Sequence, residues 1–364
     1  MNDNLKQLHA VGQSLWIDNI TRKMLGDDTL KGYIDDFSIT GLTSNPTIFE
    51  QAMAKGDAYD EQIAELAAAG KSGEDLFFAL ALRDLTRAAD LFRPIHDRTN
   101  GVDGWVSLEV SPLIADDTPK TIEAARRLHA MAARPNLYIK IPGTAAGVKS
   151  IEESIFAGVP VNVTLLFSRE QYLAVADAYM RGLERRIEAG LDLRVESVAS
   201  LFVSRWDVAV KDQVAPADRN KLGIAISKRT YKAYRDLLAS PRWKKLEAAG
   251  AHPQRLLWAS TGMKDPDARD TLYVETLAAP DTVNTMPDKT VQAFADHGRV
   301  GAVLAPDGGD AEAVITAFRR QGIDDDALAA RLQREAADAF AKSWNSLLAG
   351  LAEKTSQLAG AASR

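Results

Sequence analysis

The sequence predicts an α/β protein with the architecture of a (β/α)8 TIM barrel and additional helices. Eight short runs rich in Val, Ile and Leu have the length of buried parallel strands. Turn residues and a stretch of helical periodicity follow these runs, as is typical of repeated βα units. Neither a G-x-G-x-x-G nor a Walker A motif occurs. Eight units without a Gly-rich first turn favour a closed barrel over an open doubly wound sheet.

The predicted strands are unevenly spaced along the chain. They cover residues 15–20, 39–44, 105–111, 137–142, 160–167, 195–203, 255–261 and 281–286. The connection between the second and third strands is long, and helical periodicity in it predicts extra helices near 47–69 and 74–93. These helices would decorate the barrel.

Helix starts are marked by capping residues. A side chain that can cap a helix precedes a proline, which suits the first helical position, at four places: Asn45-Pro46, Thr118-Pro119, Ser240-Pro241 and Asp265-Pro266. Ser168 with Gln171 fits a capping box directly after the fifth strand. Strands are therefore expected to be followed closely by capped helices.

The C-terminal part of the chain predicts an amphipathic helix that packs on the barrel. Within 325–352, apolar residues recur every three or four positions at Leu328, Leu332, Ala336, Phe340, Trp344, Leu348 and Leu351. Neither a Ser/Gly-rich linker nor an internal repeat interrupts the chain. We therefore expect one domain over residues 1–364, with a helical extension at about 309–357.

Composition narrows the classes of function. The net charge of −6 is spread along the chain without a basic block, which argues against a nucleic-acid partner. Cysteine is absent, so disulfides and thiolate chemistry are excluded, and the five histidines lack metal-ligand spacing. The N-terminus lacks signal-peptide features, and no long uncharged apolar run occurs. We expect a cytoplasmic monomer or homodimer that binds no membrane and needs no metal or cofactor.

Polar residues inside or just after apolar strands are the candidates for a site, because barrel active sites lie at the carboxyl ends of the strands. The sequence offers Asp18, Asn45, Glu109, Lys140, Thr164, Ser200 and Ser260. Lys140 stands between Ile139 and Ile141, so its amine is expected inside the barrel, where burial favours a neutral nucleophile.

Two interpretations of Lys140 remain open at this level. It is either a structural ion-pair partner of Glu109 or Asp18, or a nucleophile for which these two carboxylates, on other strands, transfer protons. Each carboxylate taken singly is equally compatible with a structural role.

Seven segments together resemble the transaldolase family, in particular its longer branch, which also forms the N-terminal half of transaldolase/phosphoglucose isomerase fusions. They read WIDNI, GLTSNPTIFEQA, SLEVSP, LYIKIPGT, VPVNVTLLFS, ASLFVSRWD and WASTGMKDPD. They occur in the family's order, and the resemblance extends from about residue 14 to at least residue 297.

The resemblance implies roles for the candidate residues. Lys140 would form a Schiff base with the C2 carbonyl of the donor ketose, and Asp18 would take the C4 hydroxyl proton during C3–C4 cleavage. Glu109, with Thr164 through a bound water, would handle the protons of carbinolamine formation and dehydration. Two further side chains would hydrogen-bond the dihydroxyacetone moiety, Asn45 and Ser200.

The substrate phosphate is the less well matched part of the resemblance. Arg205 would bind it with paired donors, and Ser260 matches the phosphate-binding serine of the family. Many members carry an arginine two residues after that serine, whereas this chain has Gly262. Lys264 is the nearest substitute, and it either contacts the phosphate or faces solvent.

The implied activity is that of a cofactor-free transferase of the pentose phosphate pathway. It would move a dihydroxyacetone unit from sedoheptulose 7-phosphate or fructose 6-phosphate to glyceraldehyde 3-phosphate or erythrose 4-phosphate. The alternatives are a Schiff-base aldolase that releases dihydroxyacetone and a silent sugar-phosphate-binding barrel. Glu109 favours transfer, because in the fructose-6-phosphate aldolases glutamine or tyrosine chemistry replaces the acidic water-binding residue.

Three further groups of residues have structural interpretations. The acidic runs 307–310 and 324–326 are expected to cap the two C-terminal helices. Trp105, Trp206, Trp258 and Trp344 are expected in the core. Phe167, beside the fifth strand, is expected to line the pocket.

Overall fold

The computed structural model of the protein describes residues 2–54 and 56–362. In these residues eight strands form the barrel: β1 (Gln13–Ile17), β2 (Ile39–Leu42), β3 (Trp105–Glu109), β4 (Leu137–Pro142), β5 (Val161–Leu166), β6 (Ser197–Phe202), β7 (Arg255–Ala259) and β8 (Thr282–Met286). Each strand pairs in parallel with the next, and β8 pairs with β1. The predicted closed barrel is confirmed, with strands one to three residues shorter than predicted at several ends.

Helices surround this barrel on its outside and at its ends. In chain order they are α1 (Asp3–Ala10), α2 (Arg22–Gly26), α3 (Thr29–Asp36), α4 (Pro46–Ala54), α5 (Asp60–Ala68), α6 (Gly73–Arg98), α7 (Thr118–Ala132), α8 (Ala145–Phe156), α9 (Arg169–Glu188), α10 (Ser204–Val210), α11 (Leu222–Ala239), α12 (Pro241–Ala248), α13 (Leu272–Thr276), α14 (Asp288–His297), α15 (Ala311–Arg320) and α16 (Asp325–Ala362). Short 3-10 helices occupy Pro112–Ile114 and Pro216–Asp218. In the described part of the chain, none of the helices is both long and apolar enough to cross a bilayer.

Three predicted helix caps are confirmed. The side-chain oxygen of Asn45 accepts a hydrogen bond from Ile48 N at 3.0 Å, and the Ser240 hydroxyl accepts one from the first turn of α12. The Ser168 hydroxyl accepts from Gln171 N at 3.1 Å, while the Gln171 side chain returns a bond to the N–H of Phe167. Capping residues directly after β2 and β5 thus start α4 and α9 at the carboxyl ends of these strands.

Two predicted caps are wrong. The cap of α7 is Asp117, whose carboxylate accepts from Lys120 N, and the Thr118 hydroxyl instead donates to the carbonyl of Ala146. At Asp265-Pro266 the described chain forms a turn, since the Asp265 carboxylate accepts from Asp267 N. A cap followed by proline suits a turn as well as a helix, so tertiary contacts decide between them.

The extra helices after β2 differ from the prediction in one respect. The region predicted as a single helix over 47–69 contains two, α4 and α5. Gly56 lies between them with a φ of 77°, a left-handed conformation that ends a helix. The second predicted helix is confirmed and is longer, since α6 covers Gly73–Arg98.

The C-terminal stripe predicts a helix correctly but underestimates its length. Helix α16 continues to Ala362, and most of the stripe is buried, with Ala336 fully inaccessible and Trp344 at 1% exposure. Besides the outer helices α4, α5 and α6, it contacts β5 and the 3-10 helix after β3. It therefore lies across the carboxyl-terminal end of the barrel on the side of β3–β5, packed on the barrel as predicted.

The structural interpretations of the other residues hold in part. All four tryptophans expected in the core are buried. Asp324 caps α16 by accepting from Ala327 N, as predicted. Asp325 instead lies buried in an ion pair with Arg229 at 2.8 Å, and Asp310 makes no capping bond but pairs with Lys228.

Candidate active site

A cavity opens at the carboxyl ends of the strands, where the barrel fold predicts a site. It collects nearly all of the residues singled out from the sequence: Asp18, Asn45, Lys140, Thr164, Ser200, Arg205, Ser260 and Lys264. Glu109 does not line it and lies behind Lys140. These residues come from different strands and their following loops, so closure of the barrel alone brings them together.

Lys140 and Glu109 form a buried ion pair at the bottom of the cavity. They are register partners on β4 and β3, with Nζ 3.0 Å from a carboxylate oxygen, and they are 5% and 4% exposed. The Lys140 ammonium also donates to the carbonyl of Ser44 at 3.1 Å. Burial raises the pKa of Glu109, and the charge of Lys140 opposes that rise. Glu109 therefore tends to hold a proton, as a group that accepts protons from a neighbouring amine must.

Glu109 and Thr164 have hydrogen-bonding capacity that the protein leaves unused. Within residues 2–54 and 56–362, the Glu109 carboxylate has no partner besides the Lys140 ammonium, 3.0 Å from one oxygen, so its other oxygen and the Thr164 hydroxyl lack a hydrogen bond. Buried polar groups without a partner cost about 1–3 kcal/mol each. Two such groups around one lysine indicate a place for a ligand or water.

Asp18 stands at the end of β1, on another side of Lys140. Its carboxylate accepts a 2.6 Å hydrogen bond from the Thr43 hydroxyl, which also lies 2.7 Å from the hydroxyl of Thr285. Burial raises the pKa of Asp18, while the charge of Lys140 and the Thr43 hydroxyl oppose the rise. The carboxylate is thus oriented by β2 and β8 and faces the cavity.

Amide and hydroxyl groups lie on either side of this centre. The Ser200 hydroxyl donates to the side-chain oxygen of Asn162 at 2.8 Å, and the side-chain NH2 of Asn162 donates to the Ser107 hydroxyl at 3.0 Å. Because the Asn45 oxygen caps α4, the Asn45 NH2 group is the part available to a ligand. Ser200 and Asn45 therefore offer polar atoms to a hydroxylated molecule.

The far end of the cavity is positively charged and more open. Arg205 is half-buried on α10, and burial lowers the pKa of its guanidinium. The Ser260 hydroxyl lies 2.8 Å from that of Ser204 and also lines the cavity. Lys264 is exposed at the rim. A β-carbon at Gly262 would lie 3.1 Å from Pro287, so a side chain there would need this neighbour to shift.

Several lining residues were not predicted. They are Thr43, Thr47, Ile48, Gln51, Phe202, Ala259, Thr285, Pro287 and Phe340. The prediction that Phe167 lines the cavity is wrong: its ring is fully buried against Phe202, and Phe202 faces the cavity instead. Thr43 could have been found, because it belongs to the T-S-N-P segment that the sequence already singled out. The apolar stripe that contains Phe340 predicted only that this residue is buried.

The arrangement suits covalent catalysis by an amine. Lys140 supplies a nucleophile, and carboxylates on two other strands supply separate proton carriers. Within residues 2–54 and 56–362, no three side chains of the metal-ligating kinds converge. A basic rim beside this centre fits an anionic substituent such as a phosphate.

Comparison with known proteins identifies the family. The model of the transaldolase/fructose-6-phosphate aldolase family matches residues 15–351. The chain belongs to this family. It is 43% identical over 368 residues to a protein named transaldolase 2 from Streptomyces avermitilis, with 99% of each chain covered. Transaldolases of Saccharopolyspora erythraea and Thermobifida fusca are 45% and 44% identical, again over nearly the full length of both chains. The predicted family is therefore confirmed.

Proposed function

We propose that this protein is a transaldolase, which moves a dihydroxyacetone unit between sugar phosphates through a Schiff base on Lys140. The donors would be sedoheptulose 7-phosphate and fructose 6-phosphate, and the acceptors glyceraldehyde 3-phosphate and erythrose 4-phosphate, as in the pentose phosphate pathway. The observation that carries the proposal is the buried Lys140 amine with Glu109 at 3.0 Å and a second carboxylate, Asp18, facing the same cavity.

The first step would join the lysine to the donor. Lys140 first gives a proton to Glu109, and its neutral amine then adds to C2 of the ketose. The resulting carbinolamine loses water to give an iminium. Glu109 accepts and returns the protons of this step, with a water held between it and the Thr164 hydroxyl. Both groups have unused hydrogen-bonding capacity for such a water.

The second step would break the carbon chain. Asp18 takes the proton from the C4 hydroxyl, the C3–C4 electron pair moves toward the iminium, and an aldose phosphate leaves. A neutral enamine remains on Lys140. When an acceptor aldehyde enters, enamine C3 attacks its carbonyl carbon, and Asp18 returns the proton to the new hydroxyl. Hydrolysis of the iminium then releases the newly formed ketose phosphate and restores the amine.

The remaining candidates would bind the substrate without taking part in bond making. Asn45 and Ser200 hydrogen-bond hydroxyls of the dihydroxyacetone moiety. The phosphate binds at the basic end, where Arg205 offers paired donors, Ser260 a hydroxyl and Lys264 a charge. Gly262 leaves the space beside Ser260 without a side chain, so Arg205 would carry most of the phosphate affinity.

A Schiff-base aldolase that releases free dihydroxyacetone is the nearest competing function. We infer transfer because the chain has Glu109, where the fructose-6-phosphate aldolases replace the acidic residue. The test compares turnover of fructose 6-phosphate with and without erythrose 4-phosphate, assaying sedoheptulose 7-phosphate and free dihydroxyacetone. A transaldolase forms sedoheptulose 7-phosphate rapidly and releases dihydroxyacetone slowly. Equally fast release without acceptor would contradict the proposal.

We also propose that residues 1–364 form one domain that works in the cytoplasm as a monomer or homodimer. The packing of α16 on β5 and on the helices beside β2 and β3 supports a single folding unit. Light scattering on the purified chain measures its mass in solution. A larger assembly would contradict this part of the proposal.

A further inference from the structure

Helix α16 places an aromatic ring over the reactive amine. Phe340 is 7% exposed and lines the cavity, and its ring centroid lies 5.5 Å from Nζ of Lys140. The residue belongs to the C-terminal extension, outside the strands and βα loops that supply the other candidates. An apolar ring at this distance occupies space through which water would otherwise reach the atoms bonded to Nζ.

Helix α16 is attached to the carboxyl ends of β4 and β5. The Gln333 amide donates to the carbonyl of Gly143, directly after β4, at 3.0 Å and to that of Leu165 in β5 at 2.9 Å. Leu165 has a φ of 60°, which is uncommon for a residue of this kind and turns its carbonyl out of the strand ladder. One side chain thus connects α16 to β4 and β5, the strands that carry Lys140 and Thr164.

Further along the helix, two more polar contacts fix it to α4 and α6, the helices between β2 and β3. The Thr47 hydroxyl donates to that of Ser343 at 2.9 Å. The Trp344 indole N–H donates to Glu74 at 2.9 Å, and the same carboxylate oxygen accepts from Ser111, just after β3. Phe340 therefore sits between anchors on either side of it, which hold the ring in one place.

In the described residues, the other half of the cavity mouth is more open. Lys264 at its rim is exposed, and Arg205 is half-buried. The phosphate-binding end is therefore accessible to solvent and to the substrate, whereas the lysine end lies under a helix. Helix α16 therefore covers the lysine end, where water could reach the intermediate bonded to Lys140.

We propose that Phe340 determines whether the three-carbon intermediate is transferred or lost as free dihydroxyacetone. This inference rests on the proposed transaldolase function. Loss requires a proton on enamine C3, which regenerates the iminium, and then addition of water to C2. The C2–N bond then breaks, and dihydroxyacetone and the free amine of Lys140 are released. A ring over the lysine end limits the free water that can protonate C3, the one step that only the loss route uses. The water that hydrolyses the iminium is needed in both routes and is the one placed at Glu109 and Thr164.

The test measures two products of the full-length enzyme with fructose 6-phosphate: free dihydroxyacetone without acceptor, and sedoheptulose 7-phosphate with erythrose 4-phosphate. In Phe340→Ala, the ratio of dihydroxyacetone release to transfer is expected to rise about tenfold, since the ring no longer excludes the water that protonates enamine C3. Gln333→Met keeps the ring and removes two anchors, and the ratio is expected to rise about threefold. The control is Phe318→Ala, the same truncation at a buried position on α15, which should leave the ratio unchanged.

The outcomes separate this inference from the function on which it rests. If the parent enzyme forms no sedoheptulose 7-phosphate, the proposed function fails. If the parent transfers but a folded Phe340→Ala leaves the ratio unchanged, Phe340 only fills space and the inference is overturned. Where Phe340→Ala does not fold, an unchanged ratio in Gln333→Met overturns it. A rise in Gln333→Met alone supports the inference even when Phe340→Ala does not fold, as judged by near-UV circular dichroism. An equal rise in Phe318→Ala would contradict it, because general loosening would then explain the effect.

Discussion

The two ends of the barrel each hold a buried cation, and the comparison shows what distinguishes a structural charge from a reactive one. Arg255 at the amino end of β7 is 8% exposed, and Lys140 at the opposite end is 5% exposed, so burial does not separate them. Arg255 donates to Ser14 at 2.6 Å and to the Val102 carbonyl, and it lies 4.0 Å from Asp103. The difference lies in how completely their partners are satisfied.

At the amino end of the barrel, the protein itself supplies the hydrogen bonds of the carboxylate. Asp103 accepts from the Trp16 indole at 2.9 Å and from Gly104 N at 3.0 Å. Glu109 at the mouth faces Lys140, and in the described residues no other group donates to it. A saturated network stabilises a fold, whereas an unsaturated one retains capacity for a substrate. We therefore interpret the charges at the amino end of the barrel as structural and those at the carboxyl end as catalytic.

Among variants that keep Lys140, the largest expected effect is that of Asp18→Asn. An amide cannot take the C4 proton, so kcat should fall by about 10²–10⁴-fold. Because Lys140 still forms its imine, borohydride with fructose 6-phosphate should trap a six-carbon adduct in this variant instead of a three-carbon one. Mass spectrometry of the labelled peptide distinguishes the two. Normal turnover, or a three-carbon adduct at the normal rate, would reject Asp18 as the base.

At the base of the barrel, Arg255→Met should change stability and leave chemistry intact. Removing one partner of a buried charge network destabilises a protein by about 3–5 kcal/mol. Urea unfolding should show this loss, and the folded variant should keep its kcat. Lys140→Met is the matched substitution at the mouth and should abolish turnover. The comparison fails if Arg255→Met is folded but inactive.

Asp207, a buried carboxylate outside both networks, tests whether hydrogen bonds alone keep a carboxylate ionised. Asp207 accepts from Leu222 N, Gly223 N and the Tyr273 hydroxyl, yet burial raises its pKa to about 6. The folded state then binds the proton more tightly than the unfolded state, so stability falls as pH rises from about 4 through 6, by about 3 kcal/mol in total.

The control for this prediction is Asp207→Asn, in which the pH-dependent part should vanish. Urea unfolding at pH 4.5 and pH 7.5 measures the difference between the two proteins. If the parent loses no more stability than the variant between these pH values, Asp207 does not hold its proton as the burial implies.

The smallest effects concern the open, basic end of the cavity. Arg205→Ala should raise the KM for fructose 6-phosphate by about 10–100-fold, since a half-buried guanidinium forms charge-assisted bonds of roughly 1.5–3 kcal/mol. Lys264→Ala should raise it by no more than about fivefold, because an exposed charge contributes about 1 kcal/mol or less. Both variants should turn over phosphate-free fructose like the parent. The reverse order of effects would assign the phosphate to Lys264.

The sequence allowed the barrel and the catalytic centre to be predicted because both depend on local signals. Each strand is a short apolar run, and closing the barrel brings the strand ends together without further information. Lys140, Asp18 and Glu109 were recognisable as charges inside such runs. Their distances and the unsatisfied state of Glu109 required the structure, because they depend on the stagger between strands.

The errors arise where distant segments decide the outcome. The Asp265 carboxylate binds the side chain of Asn220 at 2.7 Å and stays in a turn, although the sequence around it resembles a helix start. The periodicity of α16 predicted that Phe340 is buried but could not specify that Lys140 lies beneath it. Periodicity identifies the face of a helix that packs, and tertiary structure selects the partner.

The most direct test of the central claim is reductive trapping at Lys140. The parent enzyme is incubated with fructose 6-phosphate and borohydride, digested and analysed by peptide mass spectrometry. If Lys140 is the Schiff-base lysine, its peptide carries a three-carbon adduct, and the enzyme loses activity in proportion to labelling. An unmodified Lys140 in the inactivated enzyme, or an adduct on another lysine, would contradict the account.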